Sequence, residues 1–178
     1  PVISNINHKI KKFKKNKNIV VLFGTWGSRI IIYRKYFSII NNWLTKNNLT
    51  LYDVGTKIKD TEINNLLKNN KNINICGRLN VKNLRNLLSK TYFGIFSTKD
   101  SLIDKSGVFA AYSLFKICPI NFYKFNEKEE KKFNQRFIKF APEKGKIESH
   151  IKKIQNYNYN LSKKVNVDKY INTYLKNY

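Results

Sequence analysis

Three short apolar runs in this chain end on a glycine, and each is followed by a stretch with helical spacing. Ile19-Val20-Val21-Leu22-Phe23 ends at Gly24, Leu49-Thr50-Leu51-Tyr52-Asp53-Val54 at Gly55, and Ile73-Asn74-Ile75-Cys76 at Gly77. Runs that stay largely apolar over consecutive positions predict strands covered on both faces. Between them, apolar residues recur at intervals of three and four: Ile32, Tyr36, Ile39, Ile40 and Trp43 over about 29–46, then Ile63, Leu66 and Leu67 near 60–68, then Val81, Leu84, Leu87 and Leu88. Two more strands are expected at Tyr92–Ser97 and about Ile117–Tyr123. Strand and helix alternate roughly every 25 residues. The fold class that follows is α/β, a Rossmann-like parallel sheet with right-handed crossover helices on both faces.

The ends read differently. Residues 1–18 contain Lys9-Ile10-Lys11-Lys12-Phe13-Lys14-Lys15-Asn16-Lys17, a basic lead-in segment. Residues 19–145 form the sheet domain, with a charged helix expected over about 127–140 and no strand after the fifth. Pro142 and Gly145 punctuate the chain before C-terminal helices in 146–178, near 147–154 and 167–174. The chain opens on Pro1 and contains no Met, so a piece of a longer protein is expected.

A length of 178 residues suits one domain with a real core, and 42% hydrophobic residues exclude a disordered polymer. No apolar run approaches the roughly 20 residues that cross a bilayer. Cys76 and Cys118 sit in or beside apolar runs and read as buried free thiols; His8 and His150 have no companions at metal-ligand spacing, so no metal site is expected. The net charge is +24. Lys, Asn and Ile are abundant throughout, so compositional drift accounts for much of it. The basic surface still favours phosphate-bearing ligands or acidic lipid headgroups.

In an open parallel sheet, ligands bind beyond the carboxyl ends of the strands. Two of those ends lead into helix starts suited to an anion. Gly24-Thr25-Trp26-Gly27-Ser28-Arg29 brings two glycines and a cation, with Arg34 five residues on. Asp104-Lys105-Ser106-Gly107 brings a charge, a hydroxyl and a residue that lets the backbone come close, after the longest strand-to-helix loop in the sheet. Asp104 is also placed to cap the helix. The glycine spacing is neither the dinucleotide fingerprint nor a P-loop. A dinucleotide-dependent oxidoreductase is disfavoured on that ground, and because Asp53 lies inside the second strand rather than at its end.

Strand-Gly-x-x-Gly, strand-Gly, strand-Gly-Arg, then Ser-Gly-Val before an Ala-rich helix that ends near a proline resembles the C-terminal, donor-binding domain of GT-B glycosyltransferases. The likeness is to the retaining, family 4-like group (glycosyl transferases group 1), over about residues 19–123. It implies one half of a GT-B fold, with C-terminal helices. It also implies a nucleotide-diphospho-sugar as donor substrate, no cofactor, no metal, and an N-terminal GT-B domain supplying the acceptor site. Carried over, Gly24, Gly27 and Arg29 become phosphate neighbours, as do Lys105, Ser106, Gly107 and Val108, with Thr25 of the same turn in the substrate-binding set. Arg78 and Leu79, in the turn Gly77-Arg78-Leu79-Asn80, would lie by the nucleobase. Counting back from Pro119, Asp104 and Tyr112 stand where the family often carries two Glu, one for the sugar and one for the ribose. Asp104, Arg29 and Lys105 are the residues assigned to catalysis, and Tyr112 to substrate binding.

The leading reading is therefore a glycosyltransferase donor domain, hexosyltransferase-like and part of a larger enzyme, which stabilises a departing diphosphate electrostatically. The alternative is a basic α/β module that binds nucleic acid or an anionic membrane without catalysis. On the leading reading nucleic acid is not a partner. The expected location is cytoplasmic, with peripheral contact at the inner face of the membrane. Val167, Tyr170, Ile171, Tyr174 and Leu175 form a stripe suited either to the interface with the second domain or to this domain's own sheet.

Overall fold

The structure is a computed structural model that describes residues 14–123, 135–139 and 148–164. Its elements run β1 (Asn16–Phe23), α1 (Trp26–Asn47), β2 (Thr50–Val54), α2 (Thr61–Lys68), β3 (Ile73–Gly77), α3 (Val81–Lys90) and β4 (Thr91–Phe96). A 3-10 turn (Asp100–Lys105) then leads into α4 (Gly107–Leu114), β5 (Cys118–Asn121), β6 (Ile138–Lys139) and α5 (Glu148–Lys164). The strands form one sheet in the order β3-β2-β1-β4-β5-β6. Every neighbouring pair is parallel. The expected α/β class and Rossmann-like sheet are those observed.

Two expectations change. A sixth strand follows the fifth, with Ile138 paired to Ile120 and Lys139 to Asn121. Residues 138–139 are therefore strand, where the charged stretch predicted the end of a helix; most of that stretch lies outside the described residues. The helix expected near 147–154 extends through Lys164. The stripe over 167–175 lies outside the described residues.

The helices divide between the two faces as right-handed crossovers require. One core cluster joins Ile30, Tyr33, Ile40 and Leu44 of α1 and Ile63 and Leu67 of α2 to Val20, Leu22 and Leu51 of the sheet. Ile151 and Ile154 of α5 join the same cluster, so this helix covers its own domain. The other cluster brings Leu84 and Leu88 of α3, Phe109 and Tyr112 of α4 and Phe115 at its C-terminal cap against Val21, Val54 and Phe96. All six residues of β4 are buried, consistent with its central place.

The starts of α1 to α4 are fixed locally. Thr25 caps α1 by accepting from the Ser28 amide, Asp60 caps α2 through Ile63, Asn80 caps α3 through Asn83, and Ser106 caps α4 through Phe109. Asn48 ends α1 in a left-handed conformation. The α4 cap is Ser106, not the Asp104 that the sequence suggested. The reason is the 3-10 turn, which carries Asp104 out of the cap position.

Candidate functional site

The strand order reverses between β1 and β4. From β1 the chain builds outward through β2 and β3, then returns to add β4 on the other side of β1. The helices leaving these two strands, α1 and α4, lie on opposite faces, and a crevice opens between their starts. The two starts are close. A Cβ placed on Gly24, in the turn after β1, would lie 3.8 Å from Cγ2 of Val108 in the first turn of α4. Neither α1 nor α4 has an acidic residue in its first turn, so their dipoles meet no negative side chain there. The structure thus brings Gly24, in the turn that holds Thr25 and Gly27, up to Val108, in the helix start that holds Ser106 and Gly107, from distant parts of the sequence. The amides of Trp26, Gly27, Gly107 and Val108 belong to the first turns, where no intrahelical acceptor exists. Thr25 and Ser106 use their hydroxyls as caps.

Lys105 closes the 3-10 turn with an exposed side chain at this edge. Asp104, beside it, is 77% exposed and accepts from Nη2 of Arg136 at 2.6 Å. That bond holds the Asp104 carboxyl below its ordinary range. Arg78 is exposed after β3, while Leu79 is half-buried against the second core cluster. Trp26, Leu102 and Tyr123 expose large apolar surfaces on the connections that follow β1, β4 and β5.

Arg29 is not where the sequence reading put it. It is 1% exposed. Its guanidinium binds the Asp53 carboxylate of β2 through Nη1 and the Thr56 carbonyl through Nη2. Tyr33, one turn further along α1, donates to the other Asp53 oxygen at 2.7 Å. Arg29 therefore fastens the turn after β1 to the turn after β2, and its charge is matched inside the protein. Burial pushes the Asp53 carboxyl up, while Arg29 and Tyr33 pull it back; burial and Asp53 together push the Tyr33 phenol up. Gly55 completes the joint. A Cβ there would lie 2.3 Å from the Gly24 carbonyl oxygen and 2.9 Å from Nε of Arg29, at a φ of +150° that suits glycine alone. One signal in the sequence pointed to this joint: a carboxylate inside an otherwise apolar strand needs a buried partner.

Tyr112 is the second correction. It is fully buried, and its hydroxyl donates to the Ile95 carbonyl at 2.9 Å with the Val21 carbonyl at 3.2 Å. The ring lies over Gly94, between β1 and β4, with no surface left for a ribose. Burial pushes its phenol far up. Arg34 is a third. Its Nη2 and Nε donate to Oδ2 of Asp60, the α2 cap, at 2.7 and 3.1 Å, so it links α1 to α2 rather than facing an anion. Cys118 is buried as expected, whereas Cys76 is only half-buried. Among the described residues, no group of His, Cys, Asp and Glu is placed to hold a metal ion, and no helix is long and apolar enough to cross a membrane.

No protein-family model matches the chain, and comparison with curated proteins finds no match. Solved structures do share its architecture. The chain superposes on AviGT4, a glycosyltransferase involved in avilamycin A biosynthesis, with a TM-score of 0.55 and 6% identity over 92% of its length. It superposes on TarM with a TM-score of 0.59 and 12% identity over 96% of its length. The chain therefore shares a Rossmann-like α/β fold with part of each of these two structures. The chain spans 52% of the AviGT4 chain and 36% of the TarM chain. Within this fold, the edge between the starts of α1 and α4 is the feature that the sheet topology singles out.

Proposed function

We propose that this domain binds a nucleotide-diphospho-sugar and, together with an N-terminal GT-B domain, takes part in transferring the sugar to an acceptor. The observation that carries this reading is the meeting of two helix starts across the β1/β4 switch point. Each offers first-turn amides with no acidic side chain in that turn, and Asp104, just before α4, is engaged by Arg136. A diphosphate spans two such sites, and the charge it gains as the sugar departs is what fixed amides and helix dipoles stabilise best. Lys105 supplies the mobile cation at this edge, a role the sequence reading divided between Lys105 and Arg29. Arg78 and Leu79 line the side where the nucleobase would lie. The net charge of +24 draws anions toward the whole surface.

Trp26 provides the readout, because it begins α1 and is 43% exposed, whereas Trp43 is buried. Titrating common nucleoside diphosphates into the chain should change Trp26 emission, and calorimetry should report the same affinity. The emission change should vanish in Trp26→Phe. Lys105→Ala should weaken binding about 3–10-fold at low salt, and less as salt screens the charge. If no nucleoside diphosphate binds and the chain instead holds heparin with a steep salt dependence, the reading fails in favour of a general basic binding module.

A further inference from the structure

The start of α4 is held by a residue from much later in the chain. Arg136 precedes Phe137, which is buried in the second core cluster with its ring centroid 6.5 Å from that of Phe96. The Arg136 guanidinium carbon lies 4.9 Å from the centre of the Phe109 ring, in the first turn of α4. Its Nη2 donates to Asp104, and its side chain is 15% exposed against 77% for the carboxylate it binds. On the other side, the Arg136 carbonyl accepts from Nδ2 of Asn158 on α5 at 2.6 Å, and Asn158 is 1% exposed. Contacts therefore run from α5 through Arg136 to Asp104. Asp104 is followed directly by Lys105 and by Ser106, the α4 cap.

A surface ion pair between two free side chains would constrain little. This one differs because its cation is stacked on an aromatic face and its backbone is tied to a buried amide. The guanidinium plane suits both jobs, and an ammonium would not stack in the same way. We propose that Arg136 is a positioning residue of the α4 edge: it fixes the Asp104 carboxylate and the turn that presents Lys105, and α5 sets its hold through Asn158. The trailing helix then governs the geometry of an edge that it does not itself line. What that edge is for rests on the donor-binding reading; the linkage itself does not.

The test follows the Asp104 carboxyl carbon by NMR between pH 3 and 6, together with the amide signals of Gly107 and Val108. Arg136→Gln should bring the Asp104 midpoint up to the ordinary value of about 3.9 and displace both amides. Arg136→Lys should recover part of the depression. Asn158→Ala does not alter the Arg136–Asp104 pair directly, yet it should move the midpoint and both amides the same way by a smaller amount. Asn158→Ser serves as a second variant if the first does not fold, and thermal melting establishes which variants are folded. A folded Asn158 variant with an unchanged Asp104 titration overturns the linkage, as does an unchanged titration in Arg136→Gln. No nucleotide enters these measurements. Failure of donor binding would leave the linkage standing, and an unmoved titration beside normal nucleoside diphosphate binding would remove the linkage alone.

Discussion

Gly94 of β4 lies directly beneath the Tyr112 ring of α4: a Cβ added to Gly94 would come within 2.5 Å of ring atom Cε2. The missing side chain lets the ring reach the sheet and place its hydroxyl on the Ile95 carbonyl. Gly94→Ala should therefore overpack this contact and cost about 1–3 kcal/mol in chemical denaturation. Tyr112→Phe, which keeps the ring and loses the hydroxyl, should cost about 1 kcal/mol. An unfolding midpoint unchanged by Gly94→Ala would show that the contact is looser than the structure has it.

The joint formed by Arg29, Asp53 and Tyr33 should rank its own variants. Asp53→Asn strands a buried guanidinium and should cost about 3–5 kcal/mol. Tyr33→Phe removes one donor to a charged acceptor and should cost about 1.5–3 kcal/mol. Equilibrium unfolding of both variants checks the order, and the reverse order would mean that Arg29 has another counter-charge.

Lys15 gives a pH dependence. Its ammonium donates to the Leu88 and Thr91 carbonyls at the end of α3, at 3.1 and 2.7 Å. Burial, and then the charge of Lys116, bring its pKa down to about 7. An unfolded Lys titrates at about 10.4. Between these values the unfolded chain holds the extra proton, so the contribution of Lys15 to stability rises with pH across that window and is smallest below it. The stability of Lys15→Met relative to the parent should therefore fall as pH rises from 6.5 to 9.5 in paired denaturant melts. A constant difference would refute the shift.

Gly55→Ala tests the ligand edge from behind. The added methyl presses on the Gly24 carbonyl from the side of the β2 turn. It should displace the start of α1 and weaken nucleoside diphosphate binding, with the Trp26 emission of the free protein shifted as well. Unaltered binding in a folded Gly55→Ala chain would mean that the turn after β1 does not hold the ligand.

The sheet was legible because its strands are apolar over consecutive positions and the helices between them repeat apolar residues at three and four, although Ile39 and Leu66 of that pattern are exposed; the structure then adds three residues to the start of β1 and three to the start of α1. β6 was not legible, since two residues carry no periodicity. The meeting of Gly24 with Val108 was implied by reading both as turns on the same edge of one parallel sheet. For Arg29, chain position gives its distance from the turn but not that α1 points it inward to Asp53. Tyr112 sits in Val108-Phe109-Ala110-Ala111-Tyr112, a setting that reads as core and that a register counted from Pro119 does not reveal. The mid-strand Gly94 was the clue to that contact. Arg136 had no signal, for its partners come from the 3-10 turn, α4 and α5, and only the assembled fold brings them together.

The switch point between β1 and β4 has a kinetic consequence. The Gly24 turn and the start of α4 become neighbours only after the chain has laid down β2 and β3 and returned to β1. Such non-local pairings form late, because a long loop must close before they repay its entropy. A chain stopped after β3 would hold half a sheet and the Arg29–Asp53 joint, yet no crevice. Anion capture at this edge should therefore be among the last properties to emerge during refolding, a clock that starts only when the two halves of the sheet have met at β1 and β4.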